Sequence, residues 1–173
     1  MNKLLLILAL IMVSGLCLSV QAQQKNHEVK AASKNSGEKI FIKQADKSLA
    51  LIEEAAYKIS IKGVAVVAFI PGDVSESWIS KMKVVGNLTT ESANLLGIAY
   101  TKASEMADTH KDSGSGVRKV LSGELGYHGG LIRKVNSGYI LAVFSGGSGE
   151  QDLEVAKIGL DWLSEFYQMM DSD

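Results

Sequence analysis

The sequence predicts a single α+β domain: one antiparallel sheet with helices packed on its faces. Three observations lead there. Two pairs of short strand-like runs, 64–70 with 77–85 and 131–135 with 139–144, are each joined by a few turn residues, as hairpins are. Stretches of helical periodicity precede, separate and follow them. The last helix has no strand after it, so the repeated crossovers of a parallel nucleotide fold are missing.

The chain of 173 residues opens MNKLLLILALIMVSGLCLSVQAQQ. Lys3 precedes an apolar stretch from Leu4 to Leu18, and Val20-Gln21-Ala22 places small residues at the −3 and −1 positions of a cleavage site. This pattern predicts a secretory signal peptide over residues 1–22 and an exported chain, in the periplasm or outside the cell. The stretch is short for a membrane span and no stop-transfer pattern follows, so no span is expected after cleavage. Cleavage would remove Cys17, the only cysteine, leaving no disulfide and no thiolate site. The formal net charge of −1 offers no basic excess for nucleic acid or for an anionic membrane.

Residues 23–40 are polar and lack periodicity, which predicts a flexible leader carrying His27, followed by one domain over 41–173. Ala45, Leu49, Ile52, Ala56 and Ile59 recur at helical spacing, predicting a helix over 42–62 that Gly63 ends. VAVVAFI (64–70) is a continuous apolar run, hence a buried strand. SWISKMKVV (77–85) alternates, with Trp78, Ser80, Met82 and Val84 on one side, which predicts a second strand with one wetter face. Thr89 or Thr90 can cap a helix reaching Asp108. That helix carries Ala93, Gly97, Ala99, Ala103 and Ala107, a small-residue face for the sheet, for a second subunit or for a ligand. Residues 109–130 are the least regular stretch, with a short helix expected near Val117–Leu121. A hairpin turning at Asn136-Ser137-Gly138 follows, then the final helix through Leu160, Leu163, Phe166 and Tyr167.

Between that hairpin and that helix lies SGGSGEQD (145–152). Three glycines between strand and helix suggest an anion cradle, but a Walker loop needs Gly-Lys-Ser/Thr, and Glu150 follows Gly149 instead. A dinucleotide fingerprint fails at Asp152, where its third glycine would stand. Glu150 and Asp152 already complement the positive helix end, and Ser148 with Gln151 has capping-box spacing. The residues thus predict a helix cap, with glycines that permit positive φ or close approach by a backbone or a ligand.

GGLIRKVNSGYILAVFSGGSGEQDLEVAKIGLDWL (129–163) resembles the carboxy-terminal signature of the GlcG/HbpS-like family, also called the haem-degrading domain family. GIAYTKA (97–103) is similar to the family's G-K-A-Y-T-A helix segment and VAVVAFIPGD to its first strand, so that the resemblance spans residues 42–166. Ile98 stands where the family usually has lysine, YHGGLI lacks its proline, and the 109–127 loop does not match. The resemblance implies a profilin-like antiparallel sheet of about five strands with helices on both sides, one strand more than the four read above. A fifth is therefore expected near 121–128. It also implies a homo-oligomer and, as in some exported members, a haem ligand.

With no cysteine in the mature chain, haem iron would fall to histidine, methionine or tyrosine. His27 is in the leader and His110 is flanked by charges, whereas His128 has Tyr127 beside it for stacking and Gly129 and Gly130 to admit a flat ring. The expected site is therefore His128 on the iron, with Tyr127, Tyr100, Gly129 and Gly130 around the cofactor. An ordinary loop histidine is the alternative at 128. No Ser/His/Asp set or paired carboxylate is legible, so catalysis is not read from the sequence. Two functions remain: an exported protein that traps, senses or stores haem or a related tetrapyrrole, and an enzyme or accessory subunit acting on a small organic acid or metabolite near 109–130.

Overall fold

The structure, a computed structural model, describes residues 35–168. The signal segment, His27 and the leader through residue 34 lie outside the described residues. Residues 35–58 form α1, followed by β1 (Gly63–Pro71), β2 (Ile79–Val85), α2 (Leu95–Thr109), β3 (Gly130–Val135), β4 (Gly138–Ser145) and α3 (Gly149–Gln168). The four strands make one antiparallel sheet in the order β2-β1-β4-β3. Among the described residues no helix is long and apolar enough to cross a membrane.

Alternation along the central strands explains the three layers. Val64, Val66, Ala68 and Ile70 of β1, with Leu141 and Val143 of β4, face α2 through Leu95, Ala99, Ala103 and Met106. Ala65, Val67 and Phe69, with Ile140, Ala142 and Phe144, face α1 and α3 through Phe41, Leu49, Ile52, Leu160 and Leu163. Every residue of β1 is buried, as a strand covered on both faces requires. The alternation read in 77–85 holds: Val64 pairs with Val84 and Val66 with Met82, and the other side carries Lys81 and Lys83, paired to Asp46 and Glu53 of α1. Of the small residues read on this helix, Ala99 and Ala103 are buried against the sheet, whereas Gly97 is exposed and Ala93 precedes the helix. Gly159 lies between α1 and α3, where Ser48 Oγ donates to its carbonyl at 2.8 Å.

Several expectations change. The sheet has four strands, not about five: the expected strand near 121–128 is loop, and the short helix near 117–121 is absent too. Side chains hold this segment instead. Arg118 grips Glu124 with two hydrogen bonds of 2.7 Å and reaches Asp108 at 2.9 Å, so no ladder is needed. The guanidinium and the Leu121 amide hold the Glu124 carboxyl down to about 2.

α1 starts at residue 35, inside the segment read as a flexible leader and seven residues before the expected start at 42, and it ends at 58, before Gly63. Ser60 takes φ 59, Ile61 N donates to Ala56 O and Ser60 N to Tyr57 O, which is a Schellman close on a serine. α2 starts at Leu95 on Asn94, whose side chain accepts from Gly97 N at 2.9 Å. Thr90 performs the same act one turn earlier, accepting from Ala93 N at 3.0 Å, but caps only a turn.

Candidate functional site

Lys102 lies on α2 one turn beyond Ile98 and beside Ala99, Ala103 and Met106, the stripe that packs on the sheet. A lysine there cannot reach solvent sideways. It runs past the end of β4 instead, where Nζ donates to Phe144 O at 2.8 Å and to Asp152 Oδ2 at 2.7 Å. Asp152 belongs to the first turn of α3, on the opposite face of the sheet. One cation thus ties the two helical layers together across the strand end. The side chains are 3% and 4% exposed.

Burial pulls the Lys102 amine below the usual lysine range and pushes the Asp152 carboxyl above the usual carboxylate range. Each shift is opposed by the partner's charge and hydrogen bond, but desolvation is the larger influence on both. A pair in this setting is costly to the fold compared with apolar packing of the same shape.

Asp152 also orders the glycine loop, because Oδ1 accepts from Gly147 N at 2.8 Å. Ser148 and Gln151 form the reciprocal capping box: Ser148 N donates to Gln151 Oε1 at 2.9 Å, and Gln151 N to Ser148 Oγ at 3.3 Å. The first amides of α3 are therefore taken by its own side chains, and no phosphate is needed. Gly146 has φ 157, and a Cβ there would collide with Lys62 O. Its role is to let the exit of β4 pass the entrance of β1. Gly147 lies outside the positive-φ set, so its tolerance of bulk is set by Gln151 and Asp152 rather than by backbone strain.

Above the pair opens a cleft of about 440 Å³, within the range of small-molecule sites. Ala93, Leu95 and Ile98 give one apolar wall. The segment Gly126-Tyr127-His128 gives the other, and the glycine loop with Glu150 forms the rim. Backbone amide and Ser148 hydrogen bonds hold Glu150 below the usual carboxylate range. Tyr127 is 52% exposed, His128 is exposed, and among the described residues no hydrogen bond engages the imidazole.

The residues singled out in the sequence divide accordingly. Tyr127 and His128 line the cleft. Gly129, at φ 126, covers the ion pair: a Cβ there would overlap Lys102 Nζ and stand 2.7 Å from Asp152 Cβ. Gly130 opens β3 one residue further in, where its amide donates to buried Ser113 Oγ at 2.9 Å. Tyr100 is not in the cleft; its hydroxyl is 3.1 Å from Ser80 Oγ and its ring leans on Trp78. Met106 is fully buried in the core. His110 closes α2 at φ 52, stacks on Tyr139 at 4.1 Å and meets Ser75 Oγ at 3.3 Å. A smaller hollow of about 220 Å³, between Ile70, Ser75 and Trp78, lies on that side.

Lys102 and Asp152 are the residues that sequence reasoning missed. The signal was present: a lysine three residues after Ala99 and four before Met106 sits on an apolar stripe. Among the described residues no cluster of three or more His, Cys, Asp or Glu could hold a metal ion.

No family model matches the chain, and no curated protein matches it. Among solved structures it is similar to the crystal structure of Klebsiella pneumoniae protein ORFY, assigned to the DUF336 family model. That similarity runs at 22% identity over 70% of this chain and 88% of that chain, with a TM-score of 0.47.

Proposed function

We propose that the chain is an exported haem-binding protein of the GlcG/HbpS-like type, which traps, senses or stores haem in the cleft between α2 and the glycine loop. The observation that carries the reading is an exposed imidazole, without a hydrogen-bond partner among the described residues, lining a cleft of about 440 Å³ that has one apolar wall. His128 would hold the iron, and Tyr127, Leu95 and Ile98 would line the cofactor's surroundings. Bound haem would supply an iron that an imidazole can ligate. The sequence likeness of residues 129–163 to that family supports the same reading. Tyr100, beside Trp78 and Ser80, holds the fold rather than the ligand.

Titrating hemin into the protein should produce a Soret shift with a stoichiometric end point. His128→Ala should move the band and weaken binding by at least about tenfold, or about 1.4 kcal/mol, with the melting temperature unchanged. A featureless wild-type titration, or an identical spectrum in the mutant, removes haem or His128 respectively.

Export and self-association belong to the same proposal, motivated by residues 1–22 and by the family likeness. Material recovered from the periplasm or medium should begin at Gln23 and scatter light as more than one chain. An intact Met1, or a monomer at every concentration, would contradict them.

The buried Lys102–Asp152 pair favours a second reading, an enzyme or accessory subunit acting on a small organic metabolite. A costly buried pair beneath a cleft is the kind of arrangement found at reactive sites.

A further inference from the structure

We propose that Lys102 is a carbonyl-capturing amine, which forms an imine with a small aldehyde or ketone at the floor of the cleft while Asp152 serves as its acid. Lys102 and Asp152 both line the cleft, and their side-chain heads are 2.7 Å apart. Two acceptors, Phe144 O and Asp152 Oδ2, engage Nζ among the described residues. An ammonium has three N–H groups and a neutral amine has a lone pair, so one valence of Nζ is left without a protein partner there. Burial pulls the Lys102 amine below the usual lysine range, which raises the share of the unprotonated amine that nucleophilic addition requires.

The same surroundings select the ligand. With 3% of the Lys102 side chain exposed, only a small carbonyl can approach. Leu95 and Ile98 offer an apolar wall for a short alkyl group.

The step balances without an added reactant. The Lys102 amine adds to the carbonyl carbon, the new C–N bond displaces the π pair onto oxygen, and Asp152 supplies the proton that oxygen takes. An ammonium proton of the adduct returns to Asp152, which then protonates the departing hydroxyl. Water leaves, and the products are a protonated imine on Lys102 and an Asp152 carboxylate as its counter-ion.

The test is reductive trapping of the full chain with propionaldehyde and cyanoborohydride at pH 6.5, followed by peptide mapping. Each pKa unit separating Lys102 from a surface lysine gives about tenfold more free amine. With its pKa lowered by burial, Lys102 should be alkylated faster than exposed Lys58 or Lys157. Lys102→Met should abolish the fast adduct and Asp152→Asn should slow it. Labelling of Lys102 no faster than that of the exposed lysines overturns the proposal, and the wild-type map decides this even if neither variant folds. The inference uses the cleft of the proposed function but not its haem, so a failed hemin titration leaves it standing and a failed labelling leaves haem binding untouched.

Discussion

Lys102→Met alone should destabilise the protein by about 3–5 kcal/mol, and Asp152→Leu alone by a similar amount, because each leaves a buried group of the pair without its partner. The double variant Lys102→Met/Asp152→Leu should recover most of that loss. The reason is geometric. Both side chains are almost wholly removed from water, so whichever remains cannot be rescued by solvent. Removing both replaces a desolvated pair with apolar side chains of similar size. Asp152→Leu also strips the Gly147 amide of its acceptor, so the recovery should stop short of complete.

The single variants should differ in pH dependence. Without Lys102, the Asp152 carboxyl loses the charge that opposed its burial, and its pKa in the folded state stands above that of the unfolded chain. The folded state then binds more protons between those two values, so Lys102→Met should lose stability as pH rises through that window. Urea unfolding at pH 5 and pH 8 measures both effects. Single variants that cost under about 1 kcal/mol would place the pair among surface-like ion pairs and contradict the account.

Gly129→Ala should be nearly as damaging. Its φ of 126 is a region that L-residues rarely enter, which alone costs about 1–3 kcal/mol. The new Cβ must also displace Lys102 Nζ and press on Asp152 Cβ at 2.7 Å, adding about 1–3 kcal/mol of overpacking. The lysine tip could swing away, but only by breaking the buried pair. Gly72→Ala is the reference: φ there is 81, yet no atom lies within 4 Å of the added Cβ. Thermal melts should show Gly72→Ala losing the strain component alone and Gly129→Ala losing clearly more. Equal losses would mean that Gly129 serves backbone conformation only and does not roof the pair.

The strands were legible because their patterns are local. A run such as Val64–Ile70 can be satisfied only between two apolar layers, and the alternation in 79–85 reports a strand with one face against α1's acids. The capping box at Ser148 and Gln151 was legible for the same reason, being three residues long. Helix ends were less so. Thr90 and Asn94 both accept an amide three residues on, and nothing local distinguishes the one that starts α2. Ser60 takes a left-handed conformation normally given to glycine, so Gly63 drew the eye instead.

The site was half legible. Tyr127 and His128 stand out as polar-tipped rings beside glycines, and the fold brings them to the cleft. Tyr100 stands out equally, but its position on α2 turns it toward Trp78 and β2. Lys102 and Asp152 were opaque because fifty residues separate them, and Asp152 alone has a sufficient local explanation at a helix start. Only the route of Lys102 past Phe144 reveals that the acid faces inward. The 109–130 loop was opaque for a related reason: Arg118 and Glu124 fix it through side chains that carry no periodicity.

The most direct measurement of the central claim is a two-dimensional amide NMR spectrum of the protein with up to one equivalent of paramagnetic hemin. Broadening should appear first at Ile98, at Gly126 through Gly129 and at Gly146 through Glu150, the residues around the cleft. Broadening centred on Ser75 and Trp78, or none beyond a uniform loss of signal, would contradict the assignment of this cleft as the ligand site.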